Sequence, residues 1–233
     1  MAKRLQVDVW SDIACPWCFI GKRRFETALR EFTHSDEVEV TWRAFELDPS
    51  APRIRDRSLS HAERLAKKYG MSLERAKAAN ARLIDVARGE GLAFDFDRIQ
   101  SGNTFDAHRL LHLAHVRGIQ DQVKERLLHA YLCEGEAIGD PDALQRLATD
   151  AGLDAGEVSA LLASDLYASE VREEQRAAHQ LGIDGVPFFR IGRYGVSGAQ
   201  SAELLLQVLD KAYGELPVQL EVEEGAMCRP DGC

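Results

Sequence analysis

The sequence predicts a mixed α/β fold in which the two halves of one sheet flank a large all-helical insertion. Three observations predict it. A strand–helix–strand pattern opens the chain, strand character returns only at Val186, and from about Ser58 to Leu181 nearly everything has helical periodicity. The layout is therefore β-α-β, a long helical block, then β-β-α, with no internal repeat and no low-complexity segment.

Taking the elements in order, Leu5, Val7 and Val9 alternate with Gln6 and Asp8, the period of a strand. Phe25, Ala28, Leu29 and Phe32 then fall at i, i+3, i+4, i+7, the apolar stripe of a helix. Val38, Val40 and Trp42 alternate with Glu39, Thr41 and Arg43, so residues 37–46 read as a second strand, ended by Asp48-Pro49-Ser50-Ala51-Pro52. In the helical block, breaks fall at Gly70, Gly89-Glu90-Gly91, Ser101-Gly102-Asn103, Gly118, Gly139-Asp140-Pro141 and Gly152. The segment 104–116 places Ala107, Leu110, Leu111 and Ala114 on one face, and helices over 121–133, 141–150, 154–163 and 165–181 follow. Asp140-Pro141 and Asp154 are helix-start signals. Val186–Ile191 reads as a strand, Gly192-Arg193-Tyr194-Gly195 as a hairpin turn, and Val196 as the start of the return strand. A closing helix buries Ala202, Leu205, Leu206 and Leu209, and from Gly214 the chain reads as an extended tail.

These boundaries divide the chain into a discontinuous α/β domain over 1–55 and 183–213, a helical insertion domain over 56–182, and a tail over 214–233. With 233 residues the chain is long enough to bury a full core without staples. Hydrophobic residues make up 45% and charged residues 29%, ordinary for a globular protein. The net charge is −9 and no basic run interleaves with aromatics, so nucleic acid is not an expected partner. No apolar stretch approaches the ~20 residues of a membrane helix, so no membrane association is expected. Asp8 and Asp12 interrupt what would otherwise be the apolar core of a secretory signal, which makes the cytoplasm the expected compartment.

There are five cysteines: Cys15, Cys18, Cys133, Cys228 and Cys233. An odd count argues against a structural disulfide framework. Cys15-Pro16-Trp17-Cys18 is a C-x-x-C and Cys228–Cys233 a C-x4-C. Nearly the whole chain separates the two pairs, unlike the closely spaced ligand pairs of structural zinc sites. The first pair falls between a strand and a helix, with Cys15 at or just before the helix start. There the free N–H groups and the positive end of the macrodipole favour a thiolate. Pro16 suits the first helical turn, where its missing N–H costs nothing. Cys18 follows one turn on, close enough to close a small disulfide ring.

The layout and these residues resemble the thioredoxin superfamily, and within it the DsbA-like branch with a helical insert, the FrnE-like group in particular. The resemblance rests on Ser11–Gly21 around the C-x-x-C, on Asn103-Thr104-Phe105-Asp106-Ala107-His108-Arg109-Leu110, on Gly185-Val186-Pro187-Phe188-Phe189, and on Gly195–Gln200. It implies a cis Val186–Pro187 bond facing the active-site pair, and a Val186 backbone free to pair with an extended peptide or glutathione in strand-like fashion. It also implies a buried carboxylate six residues before the nucleophilic cysteine; this chain has Val9 there, with Asp8 and Asp12 nearby. No histidine lies between the cysteines, so a potential between the superfamily extremes of roughly −120 and −270 mV is expected.

The reading is a cytoplasmic thiol–disulfide oxidoreductase or disulfide isomerase. Cys15 is the nucleophile, Cys18 resolves the mixed disulfide, and Pro187 shapes the site. Pro16, Trp17, Val186, Asn103 and His108 are the expected substrate-binding residues. No cofactor beyond the redox-active disulfide is expected. Partners are thiol or disulfide proteins, with glutathione or a thioredoxin-type reductant as candidate co-substrates. Cys228 and Cys233 form a candidate auxiliary pair relaying electrons to Cys15–Cys18. His108, His112 and His115 form an i, i+4, i+7 stripe that reads as a polar helix face and not as a metal site, and Cys133 as a buried bystander. Trp17 and Phe19 read equally as core or as an apolar rim. Two other readings stay open: a glutathione-dependent isomerase or transferase of the 2-hydroxychromene-2-carboxylate or kappa-class type, and a non-enzymatic holdase.

Overall fold

The computed structural model describes residues 4–53 and 58–216. Its centre is strand β1 (Leu5–Ser11), flanked by β2 (Val38–Ala44) in parallel and by β3 (Phe188–Ile191) in antiparallel. Strand β4 (Tyr194–Ser197) completes the order β2-β1-β3-β4. A parallel neighbour needs a crossover, and helix α1 (Pro16–Glu31) supplies it. With α9 (Ala202–Gly214), α1 covers the face made by Leu5, Val7, Val9, Trp42, Phe189 and Ile191. The opposite face carries Asp8, which accepts from Arg43 Nε at 2.7 Å and Arg190 Nε at 3.0 Å, and Trp10, which packs with Phe45, Ala178 and Ile183.

Between the sheet halves lie α2 (His61–Tyr69), α3 (Leu73–Gly89), α4 (Phe105–Val116), α5 (Gln120–His129), α6 (Pro141–Asp150), α7 (Ala155–Leu162) and α8 (Ala168–Gln180). Their starts follow side-chain chemistry. Ser60 forms a capping box with Glu63, and Ser72, Asp140 and Asp154 accept from the first-turn amides of α3, α6 and α7. Helix α4 runs through the middle of this layer. The insertion is tied to the sheet through the open edge of β2. The Gln120 side chain pairs with both backbone groups of Trp42, at 2.9 and 3.0 Å, and Glu174 accepts from the Ala44 N–H at 2.7 Å. Two side chains thus satisfy an edge that would otherwise invite another strand.

Three expectations change. Residues 92–100 are not helical: Leu92, Phe94 and Phe96 are buried from a loop that turns at 96–98. Their strict alternation with Ala93, Asp95 and Asp97 is period two, and that period wins over the helical surroundings. The hairpin turn is shorter than expected. Gly192 takes φ +56°, which glycine accepts readily, and the return strand starts at Tyr194 instead of Val196. Helix α4 has no solvated face at His108. Asp106, His108 and Arg109 are all buried. Arg109 donates to Asp106 at 2.8 Å and to the carbonyls of Leu161 and Leu166 at 2.5 and 2.8 Å, so its charge is satisfied inside the layer.

Gly21 on α1 is where the helix passes closest to the loop before β3. A Cβ there would stand 2.9 Å from Pro187 Cγ and 3.4 Å from Phe189 Cζ. Gly21→Ala is therefore predicted to push α1 away from Pro187 and to destabilise the fold by about 1–3 kcal/mol despite alanine's higher helix propensity. Urea unfolding checks this; an unchanged or raised midpoint contradicts it.

Candidate active site

The site is built at the C-terminal end of β1. After Ser11 the chain turns through Asp12-Ile13-Ala14, and Cys15 is the N-cap of α1 with extended backbone (φ −99°, ψ 110°) and Pro16 at the first helical position. The turn closes with the Cys15 N–H donating to Asp12 O at 3.3 Å and the Cys18 N–H to Cys15 O at 3.1 Å. Cys15 has no capping oxygen of its own, so the first-turn amides of α1 have no side-chain acceptor and face the Cys15 sulfur's end of the helix. Cys15 Sγ donates to Val186 O at 3.5 Å, and the Val186–Pro187 peptide bond is cis. Both cysteines are free thiols, Cys15 4% and Cys18 1% exposed.

Asp12 fixes this turn. One carboxylate oxygen accepts from the Ala14 N–H at 3.3 Å and the other from the Leu47 N–H, beyond β2, at 2.8 Å. His108 Nε2 of α4 lies 3.4 Å from the first. Burial alone would raise the Asp12 carboxyl, but the His108 ring, the Leu47 amide and the Thr104 side chain outweigh it and hold the group below the usual carboxylate range. Cys18 goes the other way. Burial, followed by the neighbouring Cys15 sulfur, pushes its thiol well above the ordinary value, and only Lys124 and the Asp12 backbone oppose this. Lys124 of α5 is wholly buried, and burial brings its ammonium down to about 8, against the pull of Cys18, Asp12 and Cys15.

Above the sulfurs lies a cleft of about 780 Å³ between the Gly185-Val186 segment and the α2–α3 hairpin. Its walls are largely apolar, including Trp17, Leu65, Tyr69 and Leu83. Arg64, Lys68 and Arg82 also line it, and among the described residues no carboxylate does, in a chain whose net charge is −9. Such a lining suits an extended apolar segment bearing negative groups.

The structure brings Cys15, Pro16, Trp17 and Val186 together on this cleft, with Pro187 packed behind them against Gly21. Trp17 is 43% exposed and forms rim, whereas Phe19 is core. Asn103 and His108 do not line the cleft. Asn103 donates to Glu46 at 3.1 Å and accepts from the Phe105 N–H at 2.8 Å, acting as a loop brace, and His108 is buried against Asp12. The three histidines diverge, with His112 Nε2 3.2 Å from Glu174 Oε2 and His115 exposed. Cys133 is half-buried in a π-helical turn (Ala130–Glu134), where burial raises its thiol to about 11. Cys228 and Cys233 lie outside the described residues. Sequence reasoning missed Lys124 and the cleft cations. Lys124 had a signal: it shares the apolar stripe Lys124, Leu127, Leu128, where a solvated lysine does not belong.

The model of the DSBA-like thioredoxin domain matches residues 6–210, most of the chain, from within β1 to within α9. The chain belongs to this family. A probable DsbA oxidoreductase from Streptomyces coelicolor is similar over 99% of this chain and 98% of its own, at 47% identity and a TM-score of 0.86. The uncharacterized protein YwbO of Bacillus subtilis (strain 168) is 28% identical over 211 residues, 86% of this chain and 93% of YwbO. A 2-hydroxychromene-2-carboxylate isomerase shares the fold at 17% identity, covering 90% of this chain and 94% of its own, with a TM-score of 0.61. For this DsbA-like chain the C-x-x-C turn, the Val186-Pro187 segment and α1 are thus parts of one family fold.

The Lys124 titration carries a stability prediction. Its folded value of about 8 lies below the 10.5 of a free lysine. Below pH 8 the folded state therefore bears the full cost of the buried charge, and that cost fades as pH rises from 8 towards 10.5. Lys124→Met is predicted to stabilise the reduced protein at pH 7 by on the order of 1–3 kcal/mol, with a smaller gain at pH 10. Urea midpoints at the two pH values decide; a loss at pH 7 refutes it.

Proposed function

We propose that this chain is a thiol–disulfide oxidoreductase whose redox centre is the Cys15–Cys18 pair. The observation that carries the reading is the Cys15 sulfur at the open start of α1, against the Val186 carbonyl and on the floor of the cleft, with the Cys18 sulfur buried one turn behind. The Cys15 thiolate attacks a substrate disulfide, forms a Cys15–substrate bond and releases one substrate sulfur as thiolate. Cys18 then attacks Cys15, a Cys15–Cys18 disulfide forms, and the second substrate sulfur leaves with the electron pair of the broken bond. The substrate gains two electrons and the protein loses two; the reverse sequence oxidises a dithiol, and alternation of the two isomerises.

A cleft of this size accommodates a few residues of an extended chain, so protein thiols and disulfides are the proposed substrates, with glutathione or a thioredoxin-type protein as the electron partner and the cytoplasm as the compartment. Two sulfurs at the start of α1 favour redox chemistry over a glutathione-dependent isomerisation, which needs no thiol pair from the protein. A relay from Cys228–Cys233 remains part of the proposal, supported by the C-x4-C spacing alone.

Trapping tests it. With a disulfide-bonded protein substrate, Cys18→Ser is expected to accumulate a Cys15–substrate mixed disulfide detectable by mass spectrometry, and Cys15→Ser to lower turnover to the uncatalysed rate. Turnover that survives in Cys15→Ser, or a trapped adduct on Cys133, contradicts the assignment.

A further inference from the structure

Two lysines stand over one indole. Lys22 Nζ lies 5.8 Å and Lys124 Nζ 5.6 Å from the centroid of the Trp42 ring. Trp42 is the β2 neighbour of Val9, so its ring lies on the sheet face that α1 covers. Lys22 follows Cys18 by one turn along α1, and residues four apart share a helix face. The same side of α1 therefore presents the Cys18 sulfur and the Lys22 ammonium to α5, the helix that carries Lys124.

The two lysines differ in what neutralises them. Lys22 has three carboxylates: Glu26 of its own helix, and Asp121 and Glu125 of α5, each at 3.1 Å. Lys124 Nζ is wholly buried and makes no hydrogen bond to any described residue. A buried ammonium without a counter-charge is costly, and the groups facing it can be enumerated. From its own helix, Asp121 is held by Lys22 and Trp42 Nε1, and Glu125 by Lys22 and Arg23. From the β1–α1 turn, Asp12 is taken up by the Ala14 and Leu47 amides and by His108 of α4. From α1 come the Lys22 charge, which repels, and the sulfurs of Cys18 and Cys15. Strand β2 offers only the Trp42 ring. Asp12 also attracts Lys124 but is already shared with those donors, so the anions without another side-chain donor are the two thiolates.

We propose that Lys124 is the counter-charge of the Cys18 thiolate in the resolving step, a positioning residue contributed by the helical insertion to the redox pair of the α/β layer. The proposal rests on the oxidoreductase reading above. In the mixed disulfide, Cys18 S–H loses its proton to water and the Lys124 ammonium holds the resulting thiolate. The thiolate attacks Cys15 Sγ, and the Cys15–Cys18 bond forms as the Cys15–substrate bond breaks. The substrate sulfur departs with that bond's electron pair and takes a proton from water. Without the ammonium, a thiol already raised by burial ionises less still, and this step alone slows.

The test uses 5,5′-dithiobis(2-nitrobenzoate) by stopped flow on the full, reduced chain with Cys133, Cys228 and Cys233 replaced by serine, the background that serves as wild type here. The first release of nitrothiobenzoate reports Cys15 attack, and the second reports resolution by Cys18. Lys124→Met is expected to slow the second release at pH 7 by about ten-fold or more, and to move its pH midpoint up by about one unit or more. Lys124→Arg, which keeps the charge, is expected to stay within about three-fold of the wild type. If the wild type gives both releases and Lys124→Met matches it across the pH range, the counter-charge proposal fails while the oxidoreductase reading stands. If the wild type gives no second release, the oxidoreductase reading fails and takes the proposal with it. Should the methionine variant not fold, nitrogen-15 NMR of the lysine side chains in the wild type decides. The Lys124 midpoint is expected to fall when Cys15–Cys18 is oxidised, because two ionisable sulfurs are lost; an identical midpoint in both redox states overturns the proposal.

Discussion

The Asp12 carboxylate joins three parts of the molecule at one buried point. It accepts from Ala14 in the turn that leads to Cys15, from Leu47 in the loop leaving β2, and it faces His108 of α4 in the insertion. A carboxylate buried this deeply is tolerated only while those donors are in place. The position of the cysteine turn, the exit of β2 and the depth at which α4 docks are therefore set together. Everything above this point inherits the arrangement: Cys15 as the N-cap, Val186 against its sulfur, and the cleft over both.

The insertion does more than enlarge the core. Gln120 and Glu174 close the open edge of β2, the α2–α3 hairpin raises one wall of the cleft, and Lys124 places a positive charge below the sheet face on which α1 rests. Charge is sorted accordingly. Carboxylates around Lys22 and Arg23 neutralise the α1–α5 contact, whereas Arg64, Lys68 and Arg82 stand beside the cleft with no acid among its described lining residues. A chain that is acidic as a whole thus presents cations at this cleft, which favours approach of negatively charged segments.

Much of this was legible because it depends on local pattern. The alternation of Leu5, Val7 and Val9, the helical stripe from Phe25 to Phe32 and the strand-to-helix position of Cys15 each follow from period and spacing over a few residues. What the sequence left hidden depends on contacts between distant segments. Asn103 and His108 stand in the family-like segment 103–110, which points to the groove over the C-x-x-C, yet Glu46 draws Asn103 into the loop after β2 and Asp12 draws His108 into the core. Leu92, Phe94 and Phe96 announced their non-helical burial through period two, a signal masked by the helical segments on both sides. Lys124 sat in plain view on an apolar stripe, but only the packing of α5 on β2 shows that its ammonium is buried over a tryptophan ring with no hydrogen-bond partner among the described residues.

The central claim is that Cys15 and Cys18 form one reversible two-electron couple. Its most direct test is the equilibrium of the full chain with glutathione buffers of graded ratio, quenched with acid and read by mass spectrometry. The account predicts a single transition between dithiol and Cys15–Cys18 disulfide, with a midpoint between roughly −120 and −270 mV and little Cys15–glutathione adduct along the way. A Cys15–glutathione adduct as the end state, or a pair that stays reduced at every ratio, would contradict it.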